Sequence, residues 1–303
     1  GAIDVLARLD GANSLYANNT YNFSSLSPTG IVLPGGNASF GDYDNDGDLD
    51  VLITSPYGTR LYRNNTFGIA SGSIFTEIAT SLPPSSGYAV WGDYDNDGDL
   101  DVLIENALLA DGSARTKLYR NDIGTFTEIA VGLPAGAATW GDYDNDGDLD
   151  ILTHPLFKFT VYRNNLILWP NTVPTAPSGL SSSISDSRVF LSWSVANDAE
   201  TPQYGLMYNL RVGTTPGGSQ ICSPMANTGN GYRRIVRSGF VSGNRSWTLR
   251  NLPNGTYYWS VQAIDNAFAG SAFAPEQSFV IEGAFTAIDI VTSTGYHGGT
   301  GSW

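Results

Sequence analysis

The stretch Asp42-Tyr-Asp-Asn-Asp-Gly-Asp-Leu-Asp50 decides the fold, because it occurs three times unchanged, at 42–50 (loop A), 93–101 (loop B) and 142–150 (loop C). Each copy places five aspartates within nine residues. Two carboxylates about 4 Å apart repel by roughly 4 kcal/mol at an effective dielectric constant near 20. Aspartates at this spacing therefore indicate a bound hard cation, and calcium suits several oxygen ligands best.

The positions within each loop predict the ligands. Positions 1, 3, 5 and 9 can supply carboxylates and position 7 its backbone carbonyl, while the glycine at position 6 permits a sharp turn. The candidate metal ligands are Asp42, Asp44, Asp46, Asp48, Asp50, Asp93, Asp95, Asp97, Asp99, Asp101, Asp142, Asp144, Asp146, Asp148 and Asp150. An EF-hand would need a glutamate at position 12, where Ile53, Ile104 and Thr153 stand instead. The sequence predicts three calcium ions. A solvated acidic turn is the alternative, and three identical copies disfavour it.

Other signatures recur with the loops. Each loop follows Phe-Gly or Trp-Gly, precedes a short apolar run, and is followed by Tyr-Arg-Asn at Tyr62, Tyr119 or Tyr162. The period is 51 residues from Gly41 to Gly92 and 49 from Gly92 to Gly141. Short β-branched runs bounded by turn residues indicate strands, and one period has room for about four of them, the content of a propeller blade.

This combination resembles the FG-GAP repeat, also called the VCBS repeat, and is similar to the calcium-binding blades of integrin α-subunit propellers. The resemblance implies β-propeller blades with a structural calcium ion in a hairpin loop. A further copy begins at Gly1, which aligns with the glycine at position 6, so this copy lacks loop positions 1–5. Its Asp4, at position 9, has no acidic partners, and we therefore expect no calcium there. The last copy stops early. We expect about four blade-like units, two of them incomplete, over residues 1–169.

A second unit is predicted at 178–283, after a stiff Pro-rich linker at 170–177. Segments 188–195 and 257–264 alternate like half-buried strands, which favours an antiparallel sandwich in an all-β protein. The stretch 249–263 resembles the fibronectin type III signature. The resemblance implies that Trp193 is a core tryptophan and Tyr257 a tyrosine-corner residue.

A C-terminal β tail is predicted at 284–303. Phe285-Thr-Ala-Ile-Asp-Ile-Val291 echoes the strand after each loop, and the chain ends on Trp303. One interpretation is a frayed terminus. The other is a strand that pairs with the repeats of another copy, burying Phe285, Ile288, Ile290 and Trp303 there.

Composition and charge narrow the classes of partner that the chain is expected to bind. The formal net charge is −14 and no basic patch exists, which disfavours nucleic acid. No apolar run is long enough to span a membrane. The chain lacks an initial Met and a signal-like segment, so we expect a mature, excised or partial form. Cys222 is the single cysteine, so no intrachain disulfide is expected.

Three functions are compatible with these features. The first is a non-enzymatic, secreted or cell-surface calcium-binding protein for adhesion or for interaction with proteins or carbohydrates. The second is a structural subunit of a surface layer or filament, assembled head to tail through 284–303. The third is an accessory region of a secreted enzyme. Hydrolase and phosphate-binding motifs are missing, and Glu77 and Glu128 occupy equivalent repeat positions, which favours a scaffold.

The expected partners are surface proteins, glycans or other copies of the chain. Six sequons permit N-glycans, at Asn18, Asn22, Asn37, Asn64, Asn244 and Asn254.

Overall fold

The computed structural model describes residues 5–9, 12–18, 23–25, 36–65, 75–144, 146–155, 158–165, 170–185, 188–233, 236–237, 239, 241 and 243–282, the first three ranges as backbone alone. Among these residues the regular structure consists of β-strands and includes no α-helix, which confirms the expected all-β class. The predictions for Asp4, Asn22 and the tail 284–303 lie outside the described residues. No helix long and apolar enough to cross a membrane occurs in the described part of the chain.

Four small antiparallel sheets follow one another along the repeats, each with its strands in sequence order. The first contains β1 (Val5–Leu9), β2 (Ala12–Asn18) and β3 (Phe23–Ser25). The second contains β4 (Asn37–Gly41), β5 (Asp50–Thr54), β6 (Arg60–Asn64) and β7 (Phe75–Ile78). The third contains β8 (Ala89–Gly92), β9 (Asp101–Leu108), β10 (Ala114–Asp122) and β11 (Thr125–Ile129). The fourth contains β12 (Ala137–Gly141), β13 (Asp150–His154) and β14 (Thr160–Tyr162).

The second, third and fourth sheets stack face to face, and strand β9 shows why its apolar run is continuous. Val102 and Ile104 belong to a core shared with Leu52 of the second sheet. Leu103 points the other way, into a core with Trp140 of the fourth sheet. Because side chains alternate along a strand, a strand buried on both faces needs an apolar residue at every position.

The C-terminal unit consists of two three-stranded antiparallel sheets. Strands β15 (Ser178–Ser185) and β16 (Arg188–Ser194) pair in the first, and β17 (Met207–Gly213) belongs to the second. Strand β18 (Ser246–Arg250) completes the first sheet, while β19 (Gly255–Ile264) and β20 (Gln277–Ile281) complete the second.

One core lies between these two sheets. Trp193 from β16 packs against Tyr208 and Trp259 of the facing sheet, with ring centroids 5.8 and 6.5 Å away. The Tyr257 hydroxyl donates to the Pro253 carbonyl oxygen at 2.8 Å, the kind of upstream backbone contact that a tyrosine corner makes. We refer to this unit as the sandwich.

The sandwich also packs on the repeats. Met207, Ile264 and Phe268 share a core with Trp140 and Leu149. The linker 170–177 lies along the sandwich, where the Thr175 amide donates to Asn197 and the Asn171 side chain donates to Asp265. The two units therefore meet over an apolar contact that places the sandwich beside the acidic loops.

Candidate metal centres

Each nonapeptide is the hairpin loop between the first two strands of a sheet. The strand pairs close at Gly41 and Asp50, Gly92 and Asp101, and Gly141 and Asp150. The glycines at position 6 have φ angles of 94°, 92° and 95°, in the left-handed region that L side chains rarely adopt. The turn that the sequence predicted at this position is confirmed.

The aspartate at position 1 organises the turn. In loop A, both oxygens of Asp42 accept backbone hydrogen bonds, from the Asp46 amide at 3.0 Å and the Gly47 amide at 2.9 Å. Asp93 and Asp142 accept the equivalent bonds in loops B and C.

The aspartate at position 9 ties the loop to its sheet. Asp101 accepts from the Tyr94 amide at 2.9 Å and from the Asn121 amide at 2.8 Å. Asp50 and Asp150 repeat this pair of contacts. The closing carboxylate thus joins the start of the loop to the third strand of the same sheet in loops A and B, and to Asn164, two residues after β14, in loop C.

The carboxylates converge as a metal site requires. Ligand oxygens lie within 4.8 Å of one another in three groups, which are Asp42, Asp44 and Asp50; Asp93, Asp95 and Asp101; and Asp142, Asp144 and Asp146. The structure thus brings together positions 1, 3 and 9 in loops A and B, and positions 1, 3 and 5 in loop C. The other predicted ligands lie outside these close groups, namely Asp46, Asp48, Asp97, Asp99, Asp148 and Asp150.

One oxygen in each loop identifies where a cation fits. Among the described residues, the Oδ1 atoms of Asp44, Asp95 and Asp144 are buried and accept no hydrogen bond. The Asp44 side chain is 10% exposed. A buried carboxylate oxygen without a partner is costly, and the same atom recurs in all three loops. The donor set fits a hard cation, since it consists of oxygen atoms only.

Burial raises the pKa of several carboxyl groups in loops A and B. It raises the pKa of Asp42 to about 7, that of Asp50 to about 8 and that of Asp95 to about 6. Burial also holds the pKa values of Asp93 and Asp101 well above the usual range, although backbone N–H donors act in the opposite direction. A cation in the loop would favour the ionised forms.

The arginine of Tyr-Arg-Asn supplies part of the counter-charge. Arg63 lies 2.9 Å from both Asp44 and Asp46, and Arg163 lies 2.8 Å from both Asp144 and Asp146. Arg120 instead pairs with Asp122, outside the loop, at 2.6 Å. Sequence reasoning treated Tyr-Arg-Asn as a repeat marker and missed this role, which its fixed distance from the loop could have suggested.

The asparagines join the loops into a row. The Asn45 side chain in loop A donates to Asp99 of loop B at 2.7 Å, and Asn96 of loop B donates to Asp148 of loop C at 2.7 Å. Bonds also run from a later sheet to an earlier loop: Asn121 of the third sheet donates to the Tyr43 carbonyl of loop A at 2.8 Å. Asn164 makes the equivalent bond to Tyr94 at 2.6 Å. The Asn at position 4 of each loop was the sequence signal for the bonds of Asn45 and Asn96, and the Asn of Tyr-Arg-Asn was the signal for those of Asn121 and Asn164.

The sandwich touches loops A and B through Asn266. Its side-chain amide donates to the Gly98 carbonyl at 2.7 Å and to Asn45 Oδ1 at 3.1 Å. Its own carbonyl accepts from the Asp93 amide at 3.2 Å. Asn266 lies outside the repeated part of the sequence, so the repeat pattern gave no indication of its role.

The repeat glutamates and three of the sequon asparagines have local partners. Glu77 pairs with Arg60 at 2.9 Å and Glu128 with Lys117 at 2.7 Å, both across neighbouring strands. Three sequon asparagines donate their side-chain amide internally, with Asn37 bonded to Gly87, Asn64 to Leu49 and Asn244 to Val241. Asn254 is exposed.

Comparison with known proteins supports the repeat part of the resemblance. The sequence profile of FG-GAP-like repeats matches residues 1–53 and 42–104, which include loops A and B. No curated protein sequence matches the chain.

Three solved structures with which the chain aligns are distant from it in sequence and in overall geometry. An Agrocybe aegerita lectin, studied for recognition of non-reducing terminal N-acetylglucosamine, is 14% identical, with 92% of this chain and 80% of that chain covered and a TM-score of 0.32. The V. cholerae biofilm matrix protein Bap1 is 13% identical, with 93% and 61% covered and a TM-score of 0.31. The chicken interferon gamma receptor alpha chain is 10% identical, with 77% and 96% covered and a TM-score of 0.22. Scores of this size leave the function to be argued from the chain's own residues.

Proposed function

We propose that the chain is a non-enzymatic extracellular protein whose calcium-stabilised β-repeats present a surface for binding other proteins or carbohydrates. The observation that carries the proposal is the buried, unpartnered Oδ1 of Asp44, Asp95 and Asp144, found three times among converging carboxylates. The FG-GAP-like match over loops A and B supports it.

In each loop the carboxylates at positions 1, 3, 5 and 9 and the backbone carbonyl at position 7 would hold one calcium ion, three in all. When bound, calcium would supply the positive charge that these buried carboxylates lack. Extracellular calcium modules work at dissociation constants of about 0.1–1 mM, so loops of this kind suit a secreted or cell-surface protein.

The chain's own residues explain why the ions would be structural. Position 1 carboxylates fold the loop, position 9 carboxylates anchor it, and Asn45 and Asn96 dock each loop on the next. The loops thus serve as joints between stacked sheets. A bound cation would order the joints and so fix the spacing of the sheets.

The sandwich would act as a fibronectin type III-like module over residues 178–283, with 1–169 as propeller-type repeats. Trp193 in its core and the Tyr257 hydrogen bond support this proposal. Such modules are spacers, adhesive units or accessory domains, so surface proteins, glycans and further copies of the chain are the partners that we propose.

Calcium stoichiometry tests the proposal directly. We expect isothermal titration of chelator-treated protein to give three sites, and the variant D44N/D95N/D144N to lose them while keeping the position 1 and 9 contacts. Replacing the exposed Asp111, in the turn between β9 and β10, by Asn provides a charge control away from the loops. Absence of binding at about 10 mM calcium, well above the expected range, would overturn the calcium assignment. A glycan array and an immobilised panel of extracellular matrix proteins, both probed with calcium present, test the interaction role.

A further inference from the structure

In loops A and C, the arginine of Tyr-Arg-Asn occupies the carboxylates at positions 3 and 5. The Arg63 guanidinium lies 2.9 Å from Asp44 Oδ2 and donates to Asp46 Oδ2 at 2.9 Å. The other oxygen of Asp46 accepts from the Asp48 amide at 3.0 Å, so both oxygens at position 5 are engaged. Arg163 makes the equivalent contacts in loop C, at 2.8 Å each. A cation that uses position 5 as a ligand must therefore compete with the arginine in these two loops.

The arginine after loop B takes a different partner. Two guanidinium nitrogens of Arg120 donate to Asp122, at 2.6 and 3.2 Å, and among the described residues Arg120 forms no ion pair with a carboxylate of loop B. Asp97, at position 5, accepts from the Asp99 amide through Oδ1. Its Oδ2 has no hydrogen bond or ion pair with the residues that the structure describes. Loop B thus leaves one oxygen at position 5 open to a cation.

One residue distinguishes the three repeats at this point. Asp122 follows Arg120 by two positions on strand β10, and side chains two apart on a strand lie on the same face. The equivalent positions after loops A and C hold Asn65 and Asn165, which have no negative charge to attract the arginine. Asp122 is itself held in place, because it pairs with Thr125 across the tight turn between β10 and β11. The change of residue and the change of arginine partner therefore coincide.

We infer that Asp122 makes loop B the tightest of the three calcium sites by holding Arg120 away from the loop's carboxylates. The inference rests on the proposed calcium binding and adds the order in which the loops fill. One unit charge a few ångströms from a partly solvated cation changes its affinity by about tenfold, and the charge count of a calcium site is one of the features that set its affinity.

Loop B is the joint that the other parts of the protein share. Asn45 of loop A donates to loop B, and Asn96 of loop B donates to loop C. Asn266 of the sandwich donates to the Gly98 carbonyl of loop B. As the calcium concentration falls, loops A and C would empty first and loop B would keep its ion longest. The stack would then loosen at its two outer loops while the sandwich stays attached at the central one.

Exchanging the residue between repeats tests the inference. Loop B is also the most buried of the three acidic groups, so the exchange, rather than a comparison of wild-type loops, isolates the effect of Asp122. Asp122→Asn gives loop B the residue found after loops A and C, and Asn165→Asp gives loop C the residue found after loop B. Arg120→Gln, alone and combined with Asp122→Asn, separates the arginine from the direct effect of the carboxylate. Asp111→Asn is the charge control.

All variants are full length, and calcium binding is measured by isothermal titration of chelator-treated protein. One series keeps the three loops intact. A second series disables two loops by Asp→Asn at position 3, which assigns each affinity to its loop. If a loop-disabled variant does not fold, the tightest step of the intact series carries the test, because that step belongs to loop B and should weaken in Asp122→Asn.

We expect loop B of the wild type to bind calcium about tenfold more tightly than loops A and C. Asp122→Asn should weaken loop B by about tenfold, but by less than about threefold in the Arg120→Gln background. Asn165→Asp should tighten loop C by about tenfold, and Asp111→Asn should change no affinity. Equal affinities of the three wild-type loops, an unchanged loop C in Asn165→Asp, or the same loss from Asp122→Asn in both backgrounds would overturn the inference and leave the calcium sites in place. Absence of calcium binding in every loop would overturn the proposed function together with it.

Discussion

Asn266 of the sandwich donates one hydrogen bond to Asn45 of loop A, 221 residues earlier in the chain, at 3.1 Å. A second bond from the same amide reaches the Gly98 carbonyl of loop B. One buried side chain therefore joins two acidic loops to the second unit. Because the loops also dock on one another, the order of the loops and the position of the sandwich are linked.

Chelation should destabilise the repeats first. The emptied loops keep buried carboxylates that repel one another, whereas each ion held at 100 times its dissociation constant adds about 2.7 kcal/mol. We expect EDTA to lower the transition of residues 1–169 in differential scanning calorimetry, with a smaller effect on the sandwich. Magnesium added back in place of calcium is the control, and an unchanged melting profile would contradict the prediction.

Asp101→Asn should weaken one calcium site strongly. Both oxygens of Asp101 accept backbone hydrogen bonds, and the amide can replace only one acceptor and no charge. We expect a tenfold or greater loss of affinity in loop B and a loss of about 1–3 kcal/mol of stability. Terbium luminescence and urea unfolding measure the two effects. Asp111→Asn, which changes an exposed carboxylate in the turn between β9 and β10, should leave both unchanged.

Asn266→Ala should loosen the sandwich from the repeats. Two side-chain hydrogen bonds are lost and buried polar groups are left unpaired, so we expect about 1–3 kcal/mol of destabilisation. Limited proteolysis should cut faster between 170 and 177. The exposed Gln277→Ala serves as the control within the same unit, and equal cleavage rates for both variants would argue against a joint at Asn266.

Tyr257→Phe should cost the sandwich about 1 kcal/mol, because it deletes the hydroxyl that donates to Pro253 and keeps the ring stacked on Phe279. Urea denaturation measures the change. Tyr258→Phe, at the less buried neighbouring position, should change the free energy of unfolding by much less. If both variants are equally stable, the hydrogen bond contributes nothing.

Asp265 should make stability depend on pH. Burial raises its pKa to about 7, Asp198 adds to that shift, and Asn171, Ala269 and Arg233 oppose it. The unfolded carboxyl titrates near 3.9. The folded state therefore holds the proton more tightly, and this contribution is fully present below about pH 4 and lost as the pH rises through about 7.

Asp265→Asn removes that titration. The difference in unfolding free energy between wild type and variant should fall by up to about 1.4 kcal/mol per pH unit between pH 5 and 7. Urea unfolding at constant, saturating calcium measures it. Parallel pH profiles for the two proteins would show that Asp265 does not titrate in this range.

The repeats were largely predictable because their signals are local. The apolar run after each loop predicted the strands that begin at Asp50, Asp101 and Asp150, and the glycine at position 6 predicted the left-handed turn. The ligand positions were read from spacing alone. In the structure, Asp44, Asp95 and Asp144 lie among converging carboxylates. The identity and number of the ions, the fibronectin type III-like character of the sandwich and the role of the tail stay predictions.

By itself, the sequence determined the all-β class, the hairpin loops and their acidic chemistry, because turn geometry and strand alternation depend on residues a few positions apart. Only the tertiary structure decided which loop docks on which and how Asn266 joins them. Those contacts depend on packing between segments far apart in sequence, and a single asparagine or leucine carries no local mark of the neighbour it will meet.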